Sequence, residues 1–223
     1  GEKSVLFYWM YAVGFSLNLY FDFSGYTDIA RGAAQLLGIR LTENFHQPYR
    51  AVSIRDFWSR WHISLSTWFK DYLYFPLGGS RCVKWKHLRN LMIVFLVSGL
   101  WHGAGTQFLL WGLLHGGYQV AGRLVKPLTK PLRERLDSSV LAKPAAWLRT
   151  GWVFTLTTIA WVFFRADSLD HALAIFRQLG HWGSFGGPEA FGMVRLQFAL
   201  LGACLGLLFI WDLTCKRYDL VER

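Results

Sequence analysis

Apolar residues in this chain gather into long runs separated by basic connectors. Residues 5–21 form the first run, closed by Asp22 and a polar cluster of Ser24, Tyr26, Thr27 and Asp28. Residues 29–38 read as a short amphipathic helix, and residues 40–53, with Pro48, as a loop. Over residues 54–75, Ile54, Phe57, Trp58, Trp61, Leu65, Trp68, Phe69 and Tyr72 recur at steps of three and four, which predicts one helix with a single apolar face. Arg55, Ser59, His62 and Ser66 line the edge of that face, a pattern suited to a membrane–water interface. Pro76-Leu77-Gly78-Gly79 ends it.

Residues 91–105 and 106–122 are two apolar runs back to back. Fifteen residues of helix reach about 22 Å, short of the roughly 30 Å hydrocarbon core. They are therefore expected to form a hairpin or re-entrant pair bent at glycines. Irregular backbone at membrane depth persists only where protein or a water-filled cavity covers it, so a bend there already hints at a site. Residues 123–149, basic and holding Pro127, Pro131 and Pro144, read as a loop; residues 150–164 as a further apolar run closed by Arg165; residues 168–180 as an interfacial helix; residues 181–190 as a Gly-rich connector; and residues 191–211 as the last run.

Composition sharpens this picture. The chain is 53% hydrophobic and 17% aromatic, with 12 Trp, and such rings collect where one edge meets lipid and the other water. Its net charge of +10 is concentrated between the apolar runs, which favours topogenic and lipid-facing roles over nucleic-acid binding, for which no groove-reading motif is present. The Lys- and Arg-rich connectors 45–90 and 123–149 are expected on the cytoplasmic side, with 181–190 outside. Arg55, Arg60, Lys70, Arg81, Lys84, Lys86 and Arg89 form a set suited to lipid phosphates or to the phosphates of a nucleotide-bearing donor, with lipid favoured. Cys82, Cys204 and Cys215 show no metal or disulfide spacing, and no His pair stands at i,i+3 or i,i+4.

Chemistry points first to His102, embedded in Ser98-Gly99-Leu100-Trp101-His102-Gly103-Ala104-Gly105. An ionisable group inside an apolar run is costly, and imidazole takes and returns a proton near neutral pH. The competing reading is a packing histidine bonded to a neighbouring helix. His62 on its own reads as an interfacial histidine, His115 as a helix-packing residue, and His46, His87, His171 and His181 as surface residues. Ser64, Ser66 and Ser98 lie in no G-x-S-x-G elbow and read as structural.

Several stretches resemble bacterial membrane-bound O-acyltransferases of the alginate O-acetyltransferase type. They are Tyr20 to Asp28 (YFDFSGYTD), Glu43-Asn44-Phe45 with Pro48-Tyr49, Asp56 to Gly79, Leu100 to Ala104, Leu110 to Gly116, and Trp161 to Ala166. The chain departs from the pattern at Gly105-Thr106-Gln107, where relatives often carry a Trp and a Thr. The resemblance implies an all-α, multi-pass transmembrane fold with interfacial amphipathic helices. It implies a single membrane-embedded domain over 1–223, equivalent to the later half of a longer enzyme in the bacterial inner membrane. It makes His102 the catalytic histidine and His62 the second functional one, with Trp61, Arg60, Trp101, Asn44 and Asp71 as candidate substrate-binding residues. No permanently bound cofactor is expected. The implied donor is acetyl-CoA or another acyl-CoA, and the implied acceptor a hydroxyl of an exopolysaccharide such as alginate, of a cellulose-like polymer or of peptidoglycan. Membrane lipids and a periplasmic partner that completes the transfer are the expected associates. The alternative from another class is a non-catalytic scaffold or transport subunit of a polysaccharide complex.

Overall fold

The computed structural model describes residues 5–179, together with 202, 203 and 206, and the described residues are helical with no strand. The chain divides into two compact units. The larger spans Tyr11–Phe176 and holds every residue of the site; the smaller joins Gly1–Met10 to Arg177–Arg223. Of the stretches expected beyond residue 179, the connector 181–190 and nearly all of the run 191–211 lie outside the described residues.

Helix α1, Val5–Leu36, is continuous through the polar cluster that was expected to end it. Asn18 donates to Asp22 at 2.6 Å and the Thr27 hydroxyl donates to the Ser24 carbonyl at 2.9 Å, so the polar side chains are satisfied along the helix itself. The Ser16 hydroxyl, fully buried, reaches Thr158 at 3.2 Å and ties α1 to α6, Ala142–Arg165. The Tyr49 hydroxyl donates to the Ser16 carbonyl at 2.7 Å, anchoring the connecting loop to the same point.

The expected single helix over 54–75 is broken. Helix α2 covers only Ile54–Trp58 and α3 Ile63–Phe69, followed by a wider π turn over Lys70–Tyr74. Ser53 and Asp56 cap α2 reciprocally: the Ser53 hydroxyl accepts from the Asp56 amide, and the Asp56 carboxylate from the Val52 amide, each at 3.1 Å. The break follows from competition for backbone groups. His46 N–H donates to the Arg60 carbonyl and Ile63 N–H to the Asn44 carbonyl, both at 2.9 Å, so the loop takes bonds that a continuous helix would have used.

Helices α4, Lys84–His102, and α5, Thr106–Asp137, form the expected hairpin around Gly103–Gly105. Gly99 and Gly112 permit its close approach: a β-carbon at Gly99 would run into the Phe108 carbonyl, and one at Gly112 into the Phe95 carbonyl. The expected loop over 123–149 is instead mostly helix. Pro127 and Pro131 sit inside α5 one turn apart, so the hydrogen bonds they forgo fall along one exposed strip. Lys130–Glu134 and Arg133–Asp137 pairs support that turn, and Arg149 bonds Asp137 at 2.7 Å to pin the end of α5 to α6. That bond holds the Asp137 carboxyl below the usual range. Helix α7, Leu169–Leu179, falls within the stretch 168–180 expected to be helical.

No helix among the described residues is long and apolar enough to cross a membrane. The apolar parts of α4 and α6 are cut short by basic first turns, and Tyr and Trp dilute the apolar part of α1. The core of the larger unit is aromatic: Tyr20, Phe45, Phe57, Trp61, Trp111 and Trp161 form one buried cluster. Edge-to-face pairs such as Phe45–Trp61 and stacked pairs such as Phe57–Trp61 fix the relative angles of the rings.

Candidate active site

His62 owes its aim to the break between α2 and α3. It occupies the left-handed region at φ 45°, where a side-chain-bearing residue is strained by roughly 1–3 kcal/mol. Asn44 holds it there: its side-chain oxygen lies 3.2 Å from His62 Nδ1 and accepts from the Ser64 hydroxyl at 2.9 Å and the Ser64 amide at 3.2 Å. An amide oxygen only accepts, so Nδ1 carries the proton and Nε2 is left with its lone pair. Phe23 presses its edge to the imidazole, with centroids 4.8 Å apart. Burial pushes this imidazole, which lies outside the long helices, down to about 4. The ring is therefore neutral at physiological pH.

His102 is the last residue of α4, immediately before the hairpin bend. Its ring is boxed by Trp101, Trp111 and Phe164, all edge-on, at 4.8, 5.2 and 5.0 Å between centroids. The C-terminal end of a helix favours positive charge, so an imidazolium formed here gains support from α4.

The two histidines line one cleft of about 340 Å³, counting its open mouth. Trp58, Trp61, Trp111 and Trp161 supply half of its remaining lining residues, with Leu19, Phe23, Leu65 and Phe164 completing it. Among the described residues His62 and His102 are the only ionisable side chains that line it, and the two lie within electrostatic reach of each other. Apolar walls of this kind exclude water and strengthen any hydrogen bond made inside. Among the described residues no three His, Cys, Asp or Glu side chains converge to hold a metal ion.

Of the residues singled out from sequence, His102, His62 and Trp61 meet at the cleft. Asn44 contacts His62 without lining the cleft, and Trp101, mostly exposed, packs edge-on against His102 and is likewise not part of the lining. Arg60 and Asp71 lie off the cleft: Arg60 is ion-paired with Asp56 at 2.7 Å, and Asp71 is exposed on the π turn. Sequence reasoning did not assign Trp58, Trp111 and Trp161 to the site. Trp58 lies on the apolar face of the 54–75 stretch and Trp111 and Trp161 in apolar runs, where an aromatic reads as core, and only their concentration around the two histidines marks them.

Residues 2–163 match the family model described as MBOAT, membrane-bound O-acyltransferase family. The chain is 46% identical over 169 residues to the peptidoglycan O-acetyltransferase of Helicobacter pylori, which covers 76% of this chain and 31% of that protein. It is 41% identical over 178 residues to the probable alginate O-acetylase AlgI of Azotobacter vinelandii, covering 79% and 33%. The teichoic acid D-alanyltransferase of Bacillus subtilis is 41% identical over 118 residues, covering 48% and 29%. The chain thus spans about a third of the length of these relatives. A family model that takes in most of the sequence, with both cleft histidines inside the match, establishes that the chain belongs to the membrane-bound O-acyltransferase family.

Proposed function

We propose that this chain carries the reaction centre of a membrane O-acyltransferase that moves an acyl group, acetyl in the first instance, from a cytoplasmic thioester to a hydroxyl of a cell-surface polysaccharide. The observation that supports it is the meeting of His62 and His102 in one apolar cleft. Polysaccharide or peptidoglycan is the acceptor class, in keeping with the names of the relatives. A multi-pass setting in the bacterial inner membrane accounts for the basic connectors, taken as cytoplasmic, and for the short apolar helices, which pack within a larger bundle.

In this reading His102 accepts the proton of the acceptor hydroxyl as its oxygen attacks the thioester carbonyl. The C–O bond forms, the tetrahedral intermediate collapses with loss of the C–S bond, and the proton passes from His102 to the departing sulfur. The α4 C-terminus supports the imidazolium in between. His62, neutral and held by Asn44, and Trp61 beside it are the candidate donors to the developing oxyanion; His62 would serve as one by exchanging its tautomer or by binding a proton. Tryptophan walls keep water from hydrolysing the thioester.

The test is polysaccharide O-acetyl content in cells carrying the full-length enzyme with His102→Ala, at matched membrane expression. Loss of acetylation at normal protein level is the expected result. Unchanged acetylation would overturn the role of His102 and return the chain to a scaffold reading.

A further inference from the structure

Beyond Arg123, helix α5 leaves the aromatic core and runs on to Asp137. Every residue from Leu124 to Arg135 is exposed, and the Arg149–Asp137 bond ties down the far end. A helical segment this short is marginal in water, because most helix stability in proteins comes from packing an apolar face against something. Pro127 and Pro131 weaken this one further. A helix here therefore points to a surface that covers it.

The side chains say which kind of surface. At about 100° per residue, Leu124, Val125, Leu128, Leu132 and Leu136 fall within roughly one third of the circumference. Leu128 and Leu132, in the middle of that arc, are 81% and 61% exposed. Arg123, Lys126, Lys130 and Arg133 fall on the opposite side, with Glu134 and Asp137 paired to Lys130 and Arg133. Arg135 falls within the leucine arc, in the last turn, where a long stem can carry its charge out to a boundary. Residues 123–149 hold seven Lys and Arg against Glu134 and Asp137, so half of the chain's net charge of +10 sits in this hairpin tip. A protein groove would cover the leucines but gives no reason for the charge excess. Water would suit the charges and leave the leucines bare. An anionic membrane surface answers both, since acyl chains take the apolar stripe and lipid phosphates attract the cations. Trp147 and Trp152, both exposed near the start of α6, add side chains of the kind that settle at such a boundary.

We propose that residues 124–136 of α5 form an amphipathic anchor lying in the boundary of an anionic membrane leaflet, with the leucine stripe in the acyl chains and the Lys and Arg side chains among the headgroups. With 32 residues, α5 is about 48 Å long, more than the roughly 30 Å of a hydrocarbon core. Standing upright, it would carry the leucine stripe into water. Tilted, or curved at its prolines, it lays that stripe along the boundary. The anchor does not depend on the acyl-transfer reading, because it uses none of the cleft residues.

The experiment places single nitroxide labels on the full-length protein through Leu128→Cys, Leu132→Cys, Lys126→Cys and Lys130→Cys, with other reactive cysteines replaced by serine. All four sites are exposed, so a label disturbs no packing. The protein is reconstituted in vesicles of phosphatidylcholine alone or mixed in equal parts with phosphatidylglycerol. Collisions with oxygen, which concentrates in acyl chains, are compared with collisions with a nickel chelate, which stays in water. In the anionic vesicles, labels at 128 and 132 should favour oxygen and labels at 126 and 130 the chelate. Without phosphatidylglycerol the oxygen preference at 128 and 132 should fall roughly two-fold or more. Lys126→Gln and Lys130→Gln together, with the label at 132, should reproduce that fall in the anionic vesicles. The proposal is overturned if all four labels favour the chelate, which leaves the helix in water. It is equally overturned if 128 and 132 collide with neither reagent, which puts protein over the stripe, or if phosphatidylglycerol makes no difference. Because the readout is depth, inactivity of His102→Ala, or its absence, leaves this result untouched.

Discussion

The Trp58 indole N–H donates to Nδ1 of His115 at 3.2 Å, and the two residues come from elements far apart in sequence, α2 and α5. His115 is fully buried, packed between Phe57 and Phe95 and edge-on to Trp111, while Trp58 forms part of the cleft wall. The bond therefore fixes one wall of the cleft from behind. His115→Ala removes the acceptor and opens a cavity among aromatic rings, for which a loss of about 3 kcal/mol in stability is expected. His115→Gln, which keeps an acceptor, should lose less. Thermal unfolding of the purified enzyme in detergent checks both, and equal stability of the alanine variant would contradict the arrangement.

Gly99 and Gly112 set the spacing of the α4–α5 hairpin by backbone-to-backbone approach. Carbonyl oxygens cannot move aside as a flexible side chain can, so Gly99→Ala and Gly112→Ala should each force the helices apart. The expected cost is about 1–3 kcal/mol, as for overpacked cores. Gly117→Ala on the same helix meets nothing and serves as the comparison. Expression level and melting temperature should fall for the first two and hold or rise for the third.

Much of this was legible in the sequence because it rests on local pattern. The hairpin of 91–122 follows from two runs too short to span and the glycines between them, and the cost of an ionisable group among apolar residues marks His102. What escaped notice depends on long-range competition. Continuous helical spacing over 54–75 concealed the break at His62, since the bonds that cause it come from Asn44 and His46, outside that window. Pro127 and Pro131 read as breakers because their one-turn alignment on an exposed strip of α5 appears only in three dimensions. Aromatic residues of the cleft wall look like any others until the fold gathers them.

Burial holds the His62 imidazole near 4, against about 6.5 when the chain is unfolded. Between these values the unfolded chain binds a proton that the folded one does not. Stability contributed by His62 is therefore present above about pH 6.5 and is lost as pH falls toward 4. His62→Gln removes that titration while leaving the other histidines in place. Plotting melting temperature against pH for both proteins, the gap between them should change across pH 4–6.5 and stay constant above 7. Parallel curves throughout would show that the ring titrates freely.

Asn44 supports the second histidine of the cleft without lining it. Its single oxygen faces His62 Nδ1 and accepts both donors of Ser64, while its backbone carbonyl takes the Ile63 amide. Side chain and backbone together thus hold the strained turn that points His62 inward. Asn44→Ala keeps the backbone bond and loses the three side-chain contacts, so the fold should survive while the imidazole gains freedom. On the proposed function, acetyl transfer by the full-length protein should fall about ten-fold, the effect of one lost hydrogen bond to a working group. Asn44→Asp offers a stronger acceptor at the same place and should retain more activity than alanine does, with a charge that raises the His62 pKa and shifts the pH profile of the rate upward. A merely structural Asn44 would lose activity in proportion to folded protein and leave that profile unmoved. Rate against pH for the three proteins, normalised to folded enzyme, separates the two cases.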